Sequence, residues 1–111
     1  EICVVPQVET VTAMENIEAI CAVEGVDAVF IGPADLSASM GLTGQLDAPE
    51  LHAAVKDCIE RIHAAGKPAC TLAFDPAAVA RYLDYGADMV AIGSDITLLS
   101  AGAGALLNHF R

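Results

Sequence analysis

A chain of 111 residues has room for one small domain and no more. It is 55% hydrophobic and only 5% aromatic, with much of the apolar share in Ala, Val, Ile and Leu, which excludes intrinsic disorder and suits helices layered over buried parallel strands. Fifteen acidic residues against five basic ones give a formal charge of −10, a field that repels phosphate backbones and argues against nucleic acid as a partner.

The chain starts without Met and enters at once the strand-like run Ile2-Cys3-Val4-Val5, so it is expected to begin partway through a fold. A first strand is predicted over residues 2–8, irregular near its end because Pro6 lacks an amide donor. Thr12-Ala13-Met14-Glu15 fits a capping box, and Met14, Ile17, Cys21 and Glu24 follow at helical spacing. A second strand is predicted over residues 28–31, and a short helix after Asp35. Asp47-Ala48-Pro49-Glu50 opens a long helix in the same capping pattern, with Leu51, Val55, Cys58, Ile59 and Ile62 as its apolar stripe. Gly66 and Pro68 close it. A third strand is predicted over residues 69–74, and Asp75-Pro76 starts a helix with Val79, Tyr82 and Leu83 on one face and Gly86 as its stop. The fourth strand is predicted over residues 89–92. A last helix, from about Ile96, carries Leu98, Leu99, Leu106 and Phe110 and is weakened by Gly102 and Gly104.

The strands are mostly continuous apolar runs, as expected where both faces are covered. The stretch Gly25-Val26-Asp27-Ala28-Val29-Phe30-Ile31-Gly32 is echoed by Gly86-Ala87-Asp88-Met89-Val90-Ala91-Ile92-Gly93, with Asp35 and Asp95 following. Four successive βα units imply parallel strands joined by right-handed crossovers, in an open doubly wound sheet or a closed barrel. An open sheet commonly carries a Gly-rich loop after its first strand, whereas here Pro6-Gln7-Val8-Glu9-Thr10 has no glycine. The expectation is therefore an α/β fold: the second half, about four βα units, of a TIM (β/α)8 barrel, with residues 1–111 as a single partial-barrel domain.

In either architecture ligands collect beyond the carboxyl ends of the strands, where Gln7, Glu9, Asp35, Asp75, Ser94 and Asp95 fall. Glu9 and Asp35 sit at the exits of consecutive strands, which lie about 4.8 Å apart in a sheet, so the two carboxylates could share a hard dication. Spacing leaves a second reading open, in which both carboxylates are helix caps. Asp75, before Pro76, is an N-cap first, and Asp95 is read in the same way. Glu18, Glu60 and Asp84 are read as solvated surface.

His52, His63 and His109 lie on predicted helices away from the strand exits, and no Ser/His/Asp or Cys/His arrangement assembles there. Lys67 lies at the opposite end of its strand, which argues against an imine-forming lysine. Cys3, Cys21, Cys58 and Cys70 have no metal-ligand spacing and read as reduced, buried thiols. With no signal-peptide pattern and no apolar run of roughly 20 residues, a cytoplasmic location away from membranes is expected.

At Pro6-Gln7-Val8-Glu9-Thr10 and Phe30-Ile31-Gly32-Pro33-Ala34-Asp35-Leu36-Ser37 the sequence resembles the HpcH/HpaI aldolase family, within the phosphoenolpyruvate/pyruvate barrel superfamily. The likeness continues through Glu24-Gly25-Val26-Asp27, Ala64-Ala65-Gly66-Lys67, Tyr82-Leu83 and Val90-Ala91-Ile92-Gly93-Ser94-Asp95. The resemblance implies a class II aldolase that cleaves a 4-hydroxy-2-oxo acid into pyruvate and an aldehyde. It assigns Glu9 and Asp35 to a divalent metal, Mg²⁺ or Mn²⁺ with Co²⁺ as a further candidate. It implies that Gln7 bonds the substrate near its keto oxygen. Backbone amides of the Gly32-Pro33-Ala34-Asp35 segment, through Gly32 and Ala34, would receive the carboxylate, and Leu72 would line the aldehyde side. The family's catalytic base, a histidine, and its keto-acid arginine come from the first half of the barrel. No catalytic base is therefore expected in this chain, and the chain alone is expected to be inactive. Family members are oligomers that exchange or pack the C-terminal helix, so a homo-oligomer is expected. Two alternatives remain: a citrate-lyase-β-like CoA-ester lyase, for which no nucleotide site is evident, and a non-catalytic half-barrel serving as an assembly module.

Overall fold

A computed structural model describes residues 2–111. Four short strands, β1 (Gln7–Val8), β2 (Val29–Ile31), β3 (Ala69–Leu72) and β4 (Met89–Ala91), form one parallel sheet in chain order. The helices are α1 (Val11–Glu15), α2 (Ile17–Cys21), α3 (Pro33–Ser39), α4 (Pro49–Ala64), α5 (Pro76–Asp84) and α6 (Asp95–His109). Each strand exit leads into a helix, and sequential order with parallel pairing is the arrangement of consecutive units in a (β/α)8 barrel. No helix among the described residues is long and apolar enough to cross a membrane.

The register fixes which side chains share a face. Gln7 pairs with Phe30, Phe30 with Cys70, and Cys70 with Met89. Side chains alternate along a strand, so these four line one face and Val8, Val29, Ile31, Ala69 and Thr71 the other. The second set is buried, packed with the α4 stripe Leu51, Val55, Cys58, Ile59 and Ile62 and with Ile17 of α2. The core thus lies between the sheet and the helices, while Gln7 and Met89 stay exposed on the face that carries no helix.

The internal echo is built the same way twice. Asp27 and Asp88 each precede a strand, and each carboxylate accepts from a backbone amide of the preceding unit, Val4 just ahead of β1 at 2.7 Å and Ala69 of β3 at 2.8 Å. Their own amides donate back to the Val4 and Ala69 carbonyls. Gly25 and Gly86 end the preceding helical segments at positive φ, 89° and 97°, a region that favours glycine.

Several local expectations need correction. The N-cap of the first helix is Thr10, whose hydroxyl accepts from the Ala13 amide, and not Thr12. That helix breaks at Asn16, which bonds back to the Thr12 carbonyl, so the run to Glu24 is two short helices followed by a turn. Asp47 caps nothing: α4 starts at Pro49 with Ala48 as its N-cap. The first strand shrinks to Gln7–Val8, because Pro6 has no amide to donate, although the Pro6 carbonyl accepts from Phe30. The third strand stops at Leu72, which moves Phe74 into the exit loop. Cys3 is exposed, while the other three thiols are buried and all four are free. Glycines 102 and 104 do not interrupt α6, yet this helix buries no residue, with Leu99 75% and Leu106 66% exposed.

Glu18 is not simply solvated. It bridges α2 to α4 through a two-pronged pair with Arg61, at 2.6 and 2.7 Å. The Arg61 hydrogen bonds pull its carboxyl from 4.5 down to about 2. A depressed carboxylate contributes stability that is complete above its unfolded value and is lost as pH falls through the folded one. The melting temperature is therefore expected to fall between about pH 4.5 and pH 2 more steeply in the wild type than in Glu18→Gln. Thermal melts across that range measure it; parallel curves would remove the pair from the stability account.

Candidate metal and substrate site

The polar residues at the carboxyl end of the sheet stand where their strands deliver them. Gln7 lies on the helix-free face of β1, and Glu9, two residues on, leaves the strand on the same side, half-buried. The Gly32 amide donates to the Val8 carbonyl at 3.0 Å, which holds the β2 exit against the β1 exit. A Cβ at position 32 would lie 3.2 Å from Glu9 Cβ and 3.3 Å from Glu9 Oε2, so the Glu9 side chain rests directly on this glycine. Asp35 follows three residues later, exposed in the first turn of α3.

Neither carboxylate is a cap. Thr10 takes that position for α1, and α3 has Gly32 there with no side-chain hydrogen bond. Among the described residues Glu9 and Asp35 enter no hydrogen bond or ion pair, unlike Asp75, Asp88 and Glu18. No group of three or more His, Cys, Asp or Glu side chains among the described residues is arranged to hold a metal. The two unpartnered carboxylates, one seated where a side chain at position 32 would intrude, are the hard-oxygen donor type that a dication completing its shell from water or a ligand takes.

The amide expectation changes in detail. Gly32 spends its N–H on Val8 and Pro33 has none, so Gly32 offers a ligand no donor; only Ala34 and Asp35 keep unspent amides in this first turn. Gly32 contributes space for Glu9 instead.

Leu72 and Ala34 meet in a cleft of about 310 Å³, bounded also by Pro33, Leu46, Asp47, Phe74, Asp75 and Tyr82. The sequence gives Leu46 and Phe74 no site role and reads Asp47 only as a helix opener. Phe74 was hidden by its apparent membership of the third strand, and Leu46 sits in a loop with no pattern to mark it. Asp75 caps α5 by accepting from Ala78 at 3.0 Å, and Asp95 bonds the adjacent Ile96 amide, so both are locally engaged. His52 and His63 lie on α4 and His109 on α6, none of them lining the cleft. Lys67 donates to the Val26 carbonyl at the opposite end of the sheet.

The sequence profile of the HpcH/HpaI aldolase/citrate lyase family matches residues 1–101. The chain belongs to this family. A hydroxypyruvate/pyruvate aldolase from Cupriavidus necator is 52% identical over the whole chain, and a 4-hydroxy-2-oxo-heptane-1,7-dioate aldolase from Salmonella paratyphi B is 50% identical over 97% of it. The chain spans 41% of the length of each of these curated relatives. Among solved structures, an HpcH/HpaI aldolase/citrate lyase family protein from Burkholderia cenocepacia superposes with a TM-score of 0.86 at 32% identity, covering 99% of this chain and 43% of that one. The fold is accordingly the later half of the family's TIM barrel, as the motifs implied.

Proposed function

We propose that this HpcH/HpaI chain supplies the metal-holding half of a class II aldolase, which cleaves a 4-hydroxy-2-oxo acid to pyruvate and an aldehyde and runs in reverse. The observation that carries the reading is the pair of unpartnered carboxylates at neighbouring strand exits, with Glu9 laid on Gly32. Glu9 and Asp35 would hold the ion, with Mg²⁺ or Mn²⁺ favoured by an all-oxygen donor set and Co²⁺ as a further candidate. A dication there supplies Lewis-acid stabilisation of the negative charge that builds on the keto oxygen as the C3–C4 bond breaks.

The chain's own residues orient the substrate. Gln7 stands on the same sheet face as Glu9 and can hydrogen-bond the keto acid near its keto oxygen. The unspent Ala34 amide can meet the carboxylate, and Leu72 lies on the aldehyde side. Among the described residues no histidine, nor Lys67, is placed to move the proton of the 4-hydroxyl: the histidines sit on α4 and α6, and Lys67 lies at the far end of the sheet. The base is therefore assigned to the other half of the barrel, and the 111 residues alone are expected to be inactive.

The two curated relatives support aldolase chemistry over a CoA-ester lyase, since both carry aldolase names. Exposed Leu99 and Leu106 on α6, with Phe110 at its C-cap, support a homo-oligomer in which another copy covers this helix. Four free cysteines are in keeping with a reducing, cytoplasmic setting.

Thermal melts of the full-length protein with Mg²⁺ or Mn²⁺ and pyruvate test the site. Pyruvate is expected to raise the melting temperature only when the metal is present, through binding to the native state alone. No shift under any combination would favour the inert assembly module.

A further inference from the structure

We infer that Ser39 is a positioning residue for the Glu9 and Asp35 carboxylates, tying the turn after Glu9 to the helix that carries Asp35; this rests on the metal assignment proposed above. The Ser39 hydroxyl accepts from the Val11 amide at 2.9 Å, across 28 positions of sequence. Val11 is the first residue of α1, two after Glu9, and its N–H is one of those that a helix start leaves without an intrahelical partner. Ser39 closes α3 four residues after Asp35, so the two side chains leave the same face of that helix. The neighbouring Ser37 acts locally instead: it is buried and donates back to the Ala34 carbonyl at 2.6 Å.

The Ser39 bond completes a bracket around Glu9. On one side the Val8 carbonyl accepts from the Gly32 amide at 3.0 Å, and on the other the Val11 amide reaches Ser39. Both partners belong to the segment that also carries Asp35, and Leu36, fully buried beside Asp35, anchors that segment in the core. Helix α1 is five residues long and meets the core through the partly buried Ala13 and Met14, so a polar tie at its first residue helps set where the Glu9 exit lies. The bond is exposed, and water can take the place of a lost hydroxyl at little cost in stability. Water cannot restore the fixed spacing between the two units, and a small hard cation holds its oxygens within a narrow range of distance and angle.

The experiment measures Mn²⁺ affinity by calorimetric titration, without substrate, in the full-length wild type, Ser39→Ala and Ser39→Thr. Ser39→Ala is expected to weaken binding by about tenfold, with the metal-free melting temperature within about 4 °C of wild type. Ser39→Thr keeps a hydroxyl at the same place and should bind within about twofold of wild type. In turnover assays Ser39→Ala should need about tenfold more Mn²⁺ for half-activation, while kcat at saturating Mn²⁺ stays within about threefold of wild type. A side chain that merely supported the fold would lower kcat at every metal concentration. Three results would each overturn the inference and leave the metal assignment standing: affinity of Ser39→Ala within about threefold of wild type, a loss that Ser39→Thr shares, or a fall in kcat that saturating Mn²⁺ does not restore. No tight Mn²⁺ binding by the wild type would remove the metal assignment and this inference together.

Discussion

Glu9→Gln in the full-length protein is expected to lower metal-dependent turnover by on the order of 10³-fold and to abolish tight Mn²⁺ binding. The substitution keeps the shape of the side chain and removes only its charge. Because this carboxylate enters no hydrogen bond or ion pair among the described residues, its loss breaks no structural contact. The melting temperature of the metal-free protein should therefore stay within a few degrees of wild type or rise slightly, which separates a ligand from a structural acid. Asp35→Asn should behave alike, and the double variant should be little worse than either single one, since both act through the same ion. Steady-state kinetics with a metal titration decide this. A Glu9→Gln protein that keeps wild-type turnover and metal affinity would remove Glu9 from the site.

Gly32→Ala should cost about 10- to 100-fold in metal affinity without touching a ligand. The backbone at Gly32, φ −98° and ψ 91°, suits alanine, so the effect is not one of chain strain. The added methyl would stand 3.2 Å from Glu9 Cβ and 3.3 Å from Oε2. The backbone cannot easily retreat, because the Gly32 amide is bonded to the Val8 carbonyl at 3.0 Å and the Gly32 carbonyl to the Leu36 amide at 2.9 Å. Glu9 must swing instead. Calorimetric titration with Mn²⁺ measures the loss. Unchanged affinity would mean that the position of Glu9 over Gly32 has nothing to do with binding.

The strand order and the exits of Glu9 and Asp35 could be read from sequence because they depend on local apolar runs and on parallel register, which places successive exits side by side. The α4 stripe was equally plain, since its sixteen residues repeat one apolar face several times. Short elements were harder. Thr10 and Thr12 offer competing caps two residues apart, and only the end of β1 at Val8 decides for Thr10. The role of Gly32 as the seat of Glu9 joins residues 23 positions apart, which no local pattern records. The cleft was illegible for a similar reason: Leu46, Leu72, Phe74 and Tyr82 converge from a loop, a strand, a strand exit and a helix. The helix α6 could be read from Leu98, Leu99 and Leu106, but what covers its apolar side chains lies outside the 111 residues.

Anomalous diffraction from crystals of the full-length protein grown with Mn²⁺ and pyruvate bears most directly on the central assignment. The expected result is one Mn²⁺ peak with a Glu9 and an Asp35 carboxylate oxygen each at about 2.1 Å and pyruvate oxygens completing the coordination. A fully occupied peak elsewhere, with Glu9 still resting on Gly32 and bound to no ion, would contradict it.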